Sequence, residues 1–175
     1  MKLFLLRHAH ARDTFPDERR ELSAKGLAQL DMLAAAISPE LFANLAQVWV
    51  SPFARARQSA EIFAGRMGIA ANMSVSPALT PCADPNELAR MVAGIAGFGA
   101  DLLIVAHNPL LENLAASLLG KNGGAAAFGT ATLGCLSLVV PPNSETPNGE
   151  WTLEMLVNPG IFRSASRAAF NSSND

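Results

Sequence analysis

The chain has 175 residues, of which 50% are hydrophobic and 16% charged, and its formal net charge is −2. That apolar content excludes a disordered chain, and the length suits one domain with a sizeable core. The charge argues against a general nucleic-acid binder, and no apolar run is long enough to span a membrane.

Leu3 to Leu6 is a short unbroken apolar run, the pattern of a strand buried on both faces of a parallel sheet. It delivers Arg7 and His8 at its end, where open α/β sheets bind ligands. An Arg beside a His places a fixed cation next to a candidate nucleophile, although one such pair reads equally well as a strand end. Residues 9–22 are polar, with Asp13, Asp17, Glu18, Arg19 and Arg20. They predict an active-edge loop whose charges are mostly solvated. Ser23 is a favoured N-cap for a helix over about 24–37, with Leu27, Leu30, Leu33 and Ala34 on one face. Pro39 prevents its continuation.

Ala46 to Val50 predicts a second strand, followed at once by Ser51-Pro52. Ser as cap and Pro as first helical residue predict a helix from 52 to about 66, with Arg55 in its first turn and Gly68 at its end. Arg57, two positions on, points away from Arg55 and is expected in solvent; Glu61 reads as a helix-surface residue. A short extended segment at 72–76 leads to a turn around Pro77 and Pro81. Asp84-Pro85-Asn86-Glu87 reads as a capped start for a helix to about Ala96.

Leu102 to Ala106 predicts a third apolar strand ending in His107-Asn108-Pro109, with Asn108 as cap and Pro109 opening a helix to Leu119. Residues 120–132 are rich in Gly, Ala and Thr and predict a loop. Leu133 to Val140 and Trp151 to Val157 predict two final strands, the second at a sheet edge, joined by a turn. Trp49 and Trp151 read as packing residues. The domain is expected over 1–163, with a frayed polar tail over 164–175. Alternating strands and helices imply an α/β three-layer sandwich around a mainly parallel sheet, mixed because the last two strands lack an intervening helix. Cys82 and Cys135 lack CxxC spacing and are expected as free thiols in a cytoplasmic protein.

In a parallel sheet the ends carrying Arg7-His8, Ser51 with Arg55, and His107 lie on one edge. Their convergence would make a phosphate site by charge and geometry. At these residues the chain resembles the histidine phosphatase superfamily, also called phosphoglycerate-mutase-like. The resemblance is carried by LLRHAH at 5–10, VSPFARARQSAEI at 50–62 and VAHNP at 105–109, with Arg20 in RRELSAKG at 19–26. That last segment, ALTPCAD at 78–84 and FGTAT at 128–132 are similar to the SixA branch of phosphohistidine phosphatases. It departs at Ala9, where the family usually has Gly.

The resemblance implies that His8 attacks phosphorus and is phosphorylated. It implies that Arg7 and Arg55 hold phosphoryl oxygens, that His107 contacts the transferring group, and that Arg20 is an additional pocket arginine. His10, Asn108 and Thr130 are candidates for the rim. The implied activity is hydrolysis of phosphohistidine on a protein such as a phosphotransfer domain, with a small-molecule phosphomonoesterase or mutase of the same superfamily, acting on a small phosphorylated molecule, as alternative, and no cofactor or metal. No convincing acid for a poor leaving group stands out; Asp84 and Glu87 are the nearest candidates, and their capping reading is stronger. A non-catalytic phosphate-binding module is a further reading, against which the intact His8 speaks. Metal binding by His8, His10 and His107 ranks low, because an HxxxH pair and a carboxylate cluster are missing.

Overall fold

The computed structural model describes residues 1–121 and 123–161, so the tail expected from Ser164 lies outside the described residues. Four strands, β1 (Lys2–Arg7), β2 (Leu45–Val50), β3 (Asn72–Val75) and β4 (Asp101–Ala106), lie parallel. Two more, β5 (Leu133–Val140) and β6 (Glu150–Val157), run antiparallel, giving the sheet order β3-β2-β4-β1-β5-β6. Each parallel crossover is filled by a helix: α1 (Ala24–Ala35), α2 (Ala54–Met67), α3 (Pro85–Ile95) or α4 (Leu110–Leu118) before the chain turns back. The mixed α/β sandwich follows from that alternation.

Side-chain alternation along β1 divides the core. Phe4 and Leu6 face one cluster with Leu30 and Leu33 of α1 and Ala60 and Phe63 of α2. Leu3 and Leu5 face the other, with Leu88 and Val92 of α3 and Leu111 and Leu114 of α4. Burying one such Leu or Phe contributes roughly 1.5–3 kcal/mol, so both helical layers are held by the same short strand. The central strand β4 is buried along its whole length.

Local chemistry explains the boundaries. Ser23 caps α1 by accepting from the Gly26 N–H, and Asp84 caps α3 by accepting from the Asn86 N–H. Two expected caps are corrected. Phe53, not Ser51, precedes α2, and Pro109, after a cis Asn108–Pro109 bond, precedes α4, where no side chain caps. Ser51 and Asn108 spend their side chains elsewhere, as described below. Leu27 is also corrected: it is 41% exposed, and the inner face of α1 instead presents Gly26, Gln29, Leu30 and Leu33. Both cysteines are free. Trp151 is buried, Trp49 packs against the second cluster, and among the described residues no helix is long and apolar enough to cross a membrane.

Gly26 is required by a close approach. A Cβ there would overlap the carbonyl oxygen of His10, which also accepts from the Ser23 N–H at 3.0 Å. Gly65, inside α2, has open space where its Cβ would stand. Gly26→Ala is therefore expected to destabilise the fold by about 1–3 kcal/mol, while Gly65→Ala stabilises it by up to about 1 kcal/mol. Urea unfolding midpoints of the two variants check this; equal shifts would show that α1 slides away from His10 without cost.

Candidate active site

Three parallel strands stop at one level. Arg7 lies beside Ala106 in the β1–β4 register, and Val50 beside Val105 in the β2–β4 register. Beyond the strands the ladder continues, with the His8 N–H donating to the Ala106 carbonyl and the Ser51 N–H to the Val105 carbonyl, both at 3.0 Å. The segment before β5 closes the other side. Ala131 donates from its N–H to the Arg7 and His8 carbonyls at 3.1 and 3.2 Å, and adopts a left-handed φ of 59° to do so. That conformation costs an L-residue roughly 1–2 kcal/mol.

His8 has a defined tautomer. Its Nδ1 lies 2.8 Å from the Ala9 carbonyl oxygen, which can only accept, so Nδ1 carries the hydrogen. Nε2 is left unprotonated, and its lone pair accepts from the Arg55 Nε–H at 3.3 Å. Burial pushes the His8 pKa down to about 4, Arg55, Arg7 and Arg20 push the same way, and the Ala9 carbonyl opposes them. Ala9 is fully buried and donates its N–H to the Ser59 hydroxyl, which in turn donates to the Arg55 carbonyl at 2.6 Å. The methyl group in place of the usual Gly hydrogen is accommodated.

His107 stands opposite, its ring centroid 4.9 Å from that of His8 and 5.1 Å from that of Phe53. It is 2% exposed. Its Nε2 is 2.7 Å from the Ser51 hydroxyl, and its buried Nδ1 has no protein partner among the described residues. Burial lowers its pKa to about 3, helped by His8 and Arg55. Ser51 thus serves His107, while its hydroxyl also accepts from the Phe53 N–H at 3.4 Å just before α2. Both rings are neutral near pH 7.

The arginines converge from β1, α2 and the loop before α1. Arg55, 6% exposed, donates from Nη1 to the Asp17 carbonyl at 2.7 Å and from Nη2 to the Asp17 carboxylate at 3.0 Å, and its guanidinium lies 4.9 Å from the Phe53 ring centroid. Arg20 donates to the same carboxylate at 3.1 Å and to the Arg12 carbonyl at 2.7 Å. Desolvation pulls the Asp17 carboxyl up, but the hydrogen bonds from Arg20 and Arg55 outweigh it and hold the group below its usual range. Arg7 donates from Nη1 to the Phe128 carbonyl at 2.6 Å, and its buried Nε has no protein partner among the described residues. Burial lowers its pKa, with Glu112 opposing.

The other candidates bond to partners other than His8 and His107. His10 turns to the Ser23 hydroxyl at 2.8 Å, and Thr130 accepts from Gln29 at 2.8 Å. Asn108 donates to Glu112 at 2.7 Å and to the Phe128 carbonyl at 2.9 Å. Asp84 is occupied as a helix cap, and Arg57, Glu61 and Glu87 are exposed. No group of three His, Cys, Asp or Glu among the described residues could hold a metal.

Sequence reasoning missed three residues. Asp17 was a surface charge there, although it lies three positions before Arg20. Gln29 is buried and accepts from the His10 N–H at 2.9 Å, a role hidden within an apolar helix face. Glu112 accepts from Asn108 and from the Phe128 N–H at 3.0 Å; its signal was a lone charge on α4, four residues after Asn108.

An unprotonated imidazole nitrogen that accepts from a guanidinium N–H, beside a second neutral histidine, suits attack on an anionic tetrahedral centre. Comparisons agree. Residues 3–81 match the family model described as the histidine phosphatase superfamily (branch 1). The phosphohistidine phosphatase SixA of Escherichia coli (strain K12) is 30% identical over 120 residues, which cover 67% of this chain and 74% of that protein. The structure of the protein histidine phosphatase SixA complexed with tungstate superposes with a TM-score of 0.80 at 25% identity, covering 93% of this chain and 99% of that one. The mycobacterial glucosyl-3-phosphoglycerate phosphatase shares the fold, with a TM-score of 0.61 at 18% identity over 88% of this chain and 97% of that one.

The histidines make stability depend on pH. They titrate near 4 (His8) and 3 (His107) when folded, against about 6.5 for free imidazole. Between these values the unfolded chain binds protons that the folded chain refuses. The histidines therefore cost no stability above pH 6.5, and stability is lost as pH falls toward 4. The expected observation is a Tm that drops between pH 6.5 and 4, less steeply in His8→Asn and in His107→Asn. Parallel Tm–pH curves for all three proteins would show that neither histidine is held neutral by the fold.

Proposed function

The chain belongs to the histidine phosphatase superfamily, and from that premise we propose that this phosphatase hydrolyses phosphohistidine on a protein through a phospho-His8 intermediate. The observation that carries the reading is the His8 geometry: Nδ1–H held by the Ala9 carbonyl, and unprotonated Nε2 accepting from the Arg55 Nε–H. A relative of the same fold is complexed with tungstate, itself a tetrahedral oxyanion, which supports an oxyanion-binding reading.

In the proposed reaction Nε2 of His8 attacks phosphorus. The new P–N bond forms as the substrate's P–N bond breaks, and the departing imidazole keeps the electron pair and takes up a proton from solvent. Arg7, Arg20 and Arg55 stabilise the phosphoryl oxygens, and His107 contacts the transferring group. Water then attacks phospho-His8, Nε2 recovers its lone pair, and phosphate leaves. The Ala9 carbonyl holds Nδ1–H throughout, so the nucleophile returns in the same tautomer. No step calls on a metal, because guanidinium groups meet the charge.

Imidazole leaves more readily than an alkoxide, so this site manages without an acid aimed at the leaving group. Both sequence candidates for such an acid, Asp84 and Glu87, belong to the exposed start of α3. A phosphohistidine protein, activated aryl phosphates and sugar phosphates, compared by kcat/KM, test the substrate class. The phosphoprotein is expected to lead and sugar phosphates to trail by about a hundredfold or more, the usual contribution of a general acid. Equal rates for sugar phosphates would favour a small-molecule phosphomonoesterase. His8→Ala is expected to abolish both turnover and the acid-labile phosphoenzyme; turnover by a well-folded His8→Ala protein would sink the mechanism.

Arg55 and Arg57 give a sharper comparison. One is buried against His8, the other exposed on the same helix. Losing a buried, hydrogen-bonded charge costs roughly 2–5 kcal/mol, and a solvated one within about 0.5 kcal/mol. Arg55→Ala is accordingly expected to lower kcat/KM by about thirtyfold or more and Arg57→Ala by less than about threefold; comparable losses would show that the α2 register does not select between them.

A further inference from the structure

We propose that Glu112 is a positioning residue for the reaction, setting the Arg7 guanidinium through the Phe128 carbonyl. The inference rests on the reading that Arg7 holds the phosphoryl group. Arg7 is placed by one side-chain hydrogen bond, Nη1 to the Phe128 carbonyl at 2.6 Å, while its buried Nε has no protein partner among the described residues. The direction of that carbonyl therefore decides where the guanidinium points.

Phe128 lies in a stretch without helix or strand, and its side chain is 1% exposed in the apolar cluster beneath α4. Packing of the ring fixes the residue's position but not the rotation of its peptide planes. Side chains of α4 and its leading turn supply that rotation. Glu112 Oε1 accepts from the Phe128 N–H at 3.0 Å and from Asn108 Nδ2 at 2.7 Å. Asn108 Nδ2 also donates to the Phe128 carbonyl at 2.9 Å, the same oxygen that receives Arg7. One carboxylate oxygen thus gathers both ends of a closed circuit, Glu112 to Phe128 to Asn108. Glu112 is the only charge on α4, whose sequence is LLENLAASL, and it half-buries that charge. Burying a charge is costly unless it is paired. Here two N–H donors and the nearby Arg7 cation offset the cost.

Both observed hydrogen bonds use Oε1, so a Gln side chain can reproduce them without the charge. Glu112→Ala removes both. The test measures Kd for inorganic phosphate by calorimetry and kcat/KM with an aryl phosphate in Glu112→Ala, Glu112→Gln, Arg7→Ala and the Glu112→Ala/Arg7→Ala double variant, with Tm for each. Glu112→Ala is expected to weaken phosphate binding and kcat/KM by about tenfold or more with Arg7 present, and by less than about twofold once Arg7 is gone. That non-additivity is the mark of a residue acting through its neighbour, and a general loss of stability would not produce it. Glu112→Gln is expected within about threefold of the unaltered protein. An equal fold-change in both Arg7 backgrounds overturns the proposal alone. Unchanged phosphate binding and turnover in Arg7→Ala overturns the role of Arg7 and, with it, this inference.

Discussion

Everything at the candidate site depends on three parallel strands ending in register. Two backbone hydrogen bonds beyond the strands, from His8 to the Ala106 carbonyl and from Ser51 to the Val105 carbonyl, extend that register by one residue. They bring to one edge side chains separated by up to about a hundred residues. The pleat then sorts them. Arg7 continues the row of Leu3 and Leu5 and meets Phe128 on the α4 side, whereas His107 continues the row of Leu103 and Val105. A slip of one residue in β1 would exchange Arg7 and His8 between faces.

Polar groups inside the molecule concentrate where they support this edge. Ser51 bonds His107, Ser59 links Ala9 to the start of α2, Gln29 holds the His10 backbone, and Glu112 holds Phe128. Each replaces a contact that apolar packing could have made more cheaply. In return, the nucleophile and the guanidiniums are fixed by hydrogen bonds of definite direction, which dispersion contacts cannot supply.

The strands, their order along the chain and the helical crossovers were legible because continuous apolar runs alternate with capped helices. The convergence of Arg7, His8, Arg55 and His107 was legible for the same reason: a residue that ends a parallel strand has only one edge to occupy. Ser51 and Asn108 misled as caps. Local propensity favours Ser and Asn at that position, but tertiary partners, His107 for one and Glu112 with Phe128 for the other, claimed the side chains. Asp17, Gln29 and Glu112 were illegible because the bonds that tie them to the site, with Arg55, the His10 N–H and the Phe128 N–H, reach remote or backbone atoms, even where a second partner such as Arg20 or Asn108 lies near in sequence. No periodicity records a hydrogen bond from Phe128 to a helix sixteen residues earlier. Leu27 shows the reverse case, an apolar residue at helical spacing that the α1 face does not need.

Arg7, Arg20 and Arg55 gather positive potential at one end of a chain whose formal net charge is −2. The molecule as a whole therefore does not draw anionic partners from a distance. At physiological ionic strength the Debye length is about 8 Å, so attraction toward the arginine edge is felt only in the last layers of solvent before contact. An anion approaching from elsewhere meets a chain whose formal net charge is −2. Encounter is in this way filtered by orientation before any chemistry begins, and added salt slows capture at the arginine edge without touching the geometry of His8.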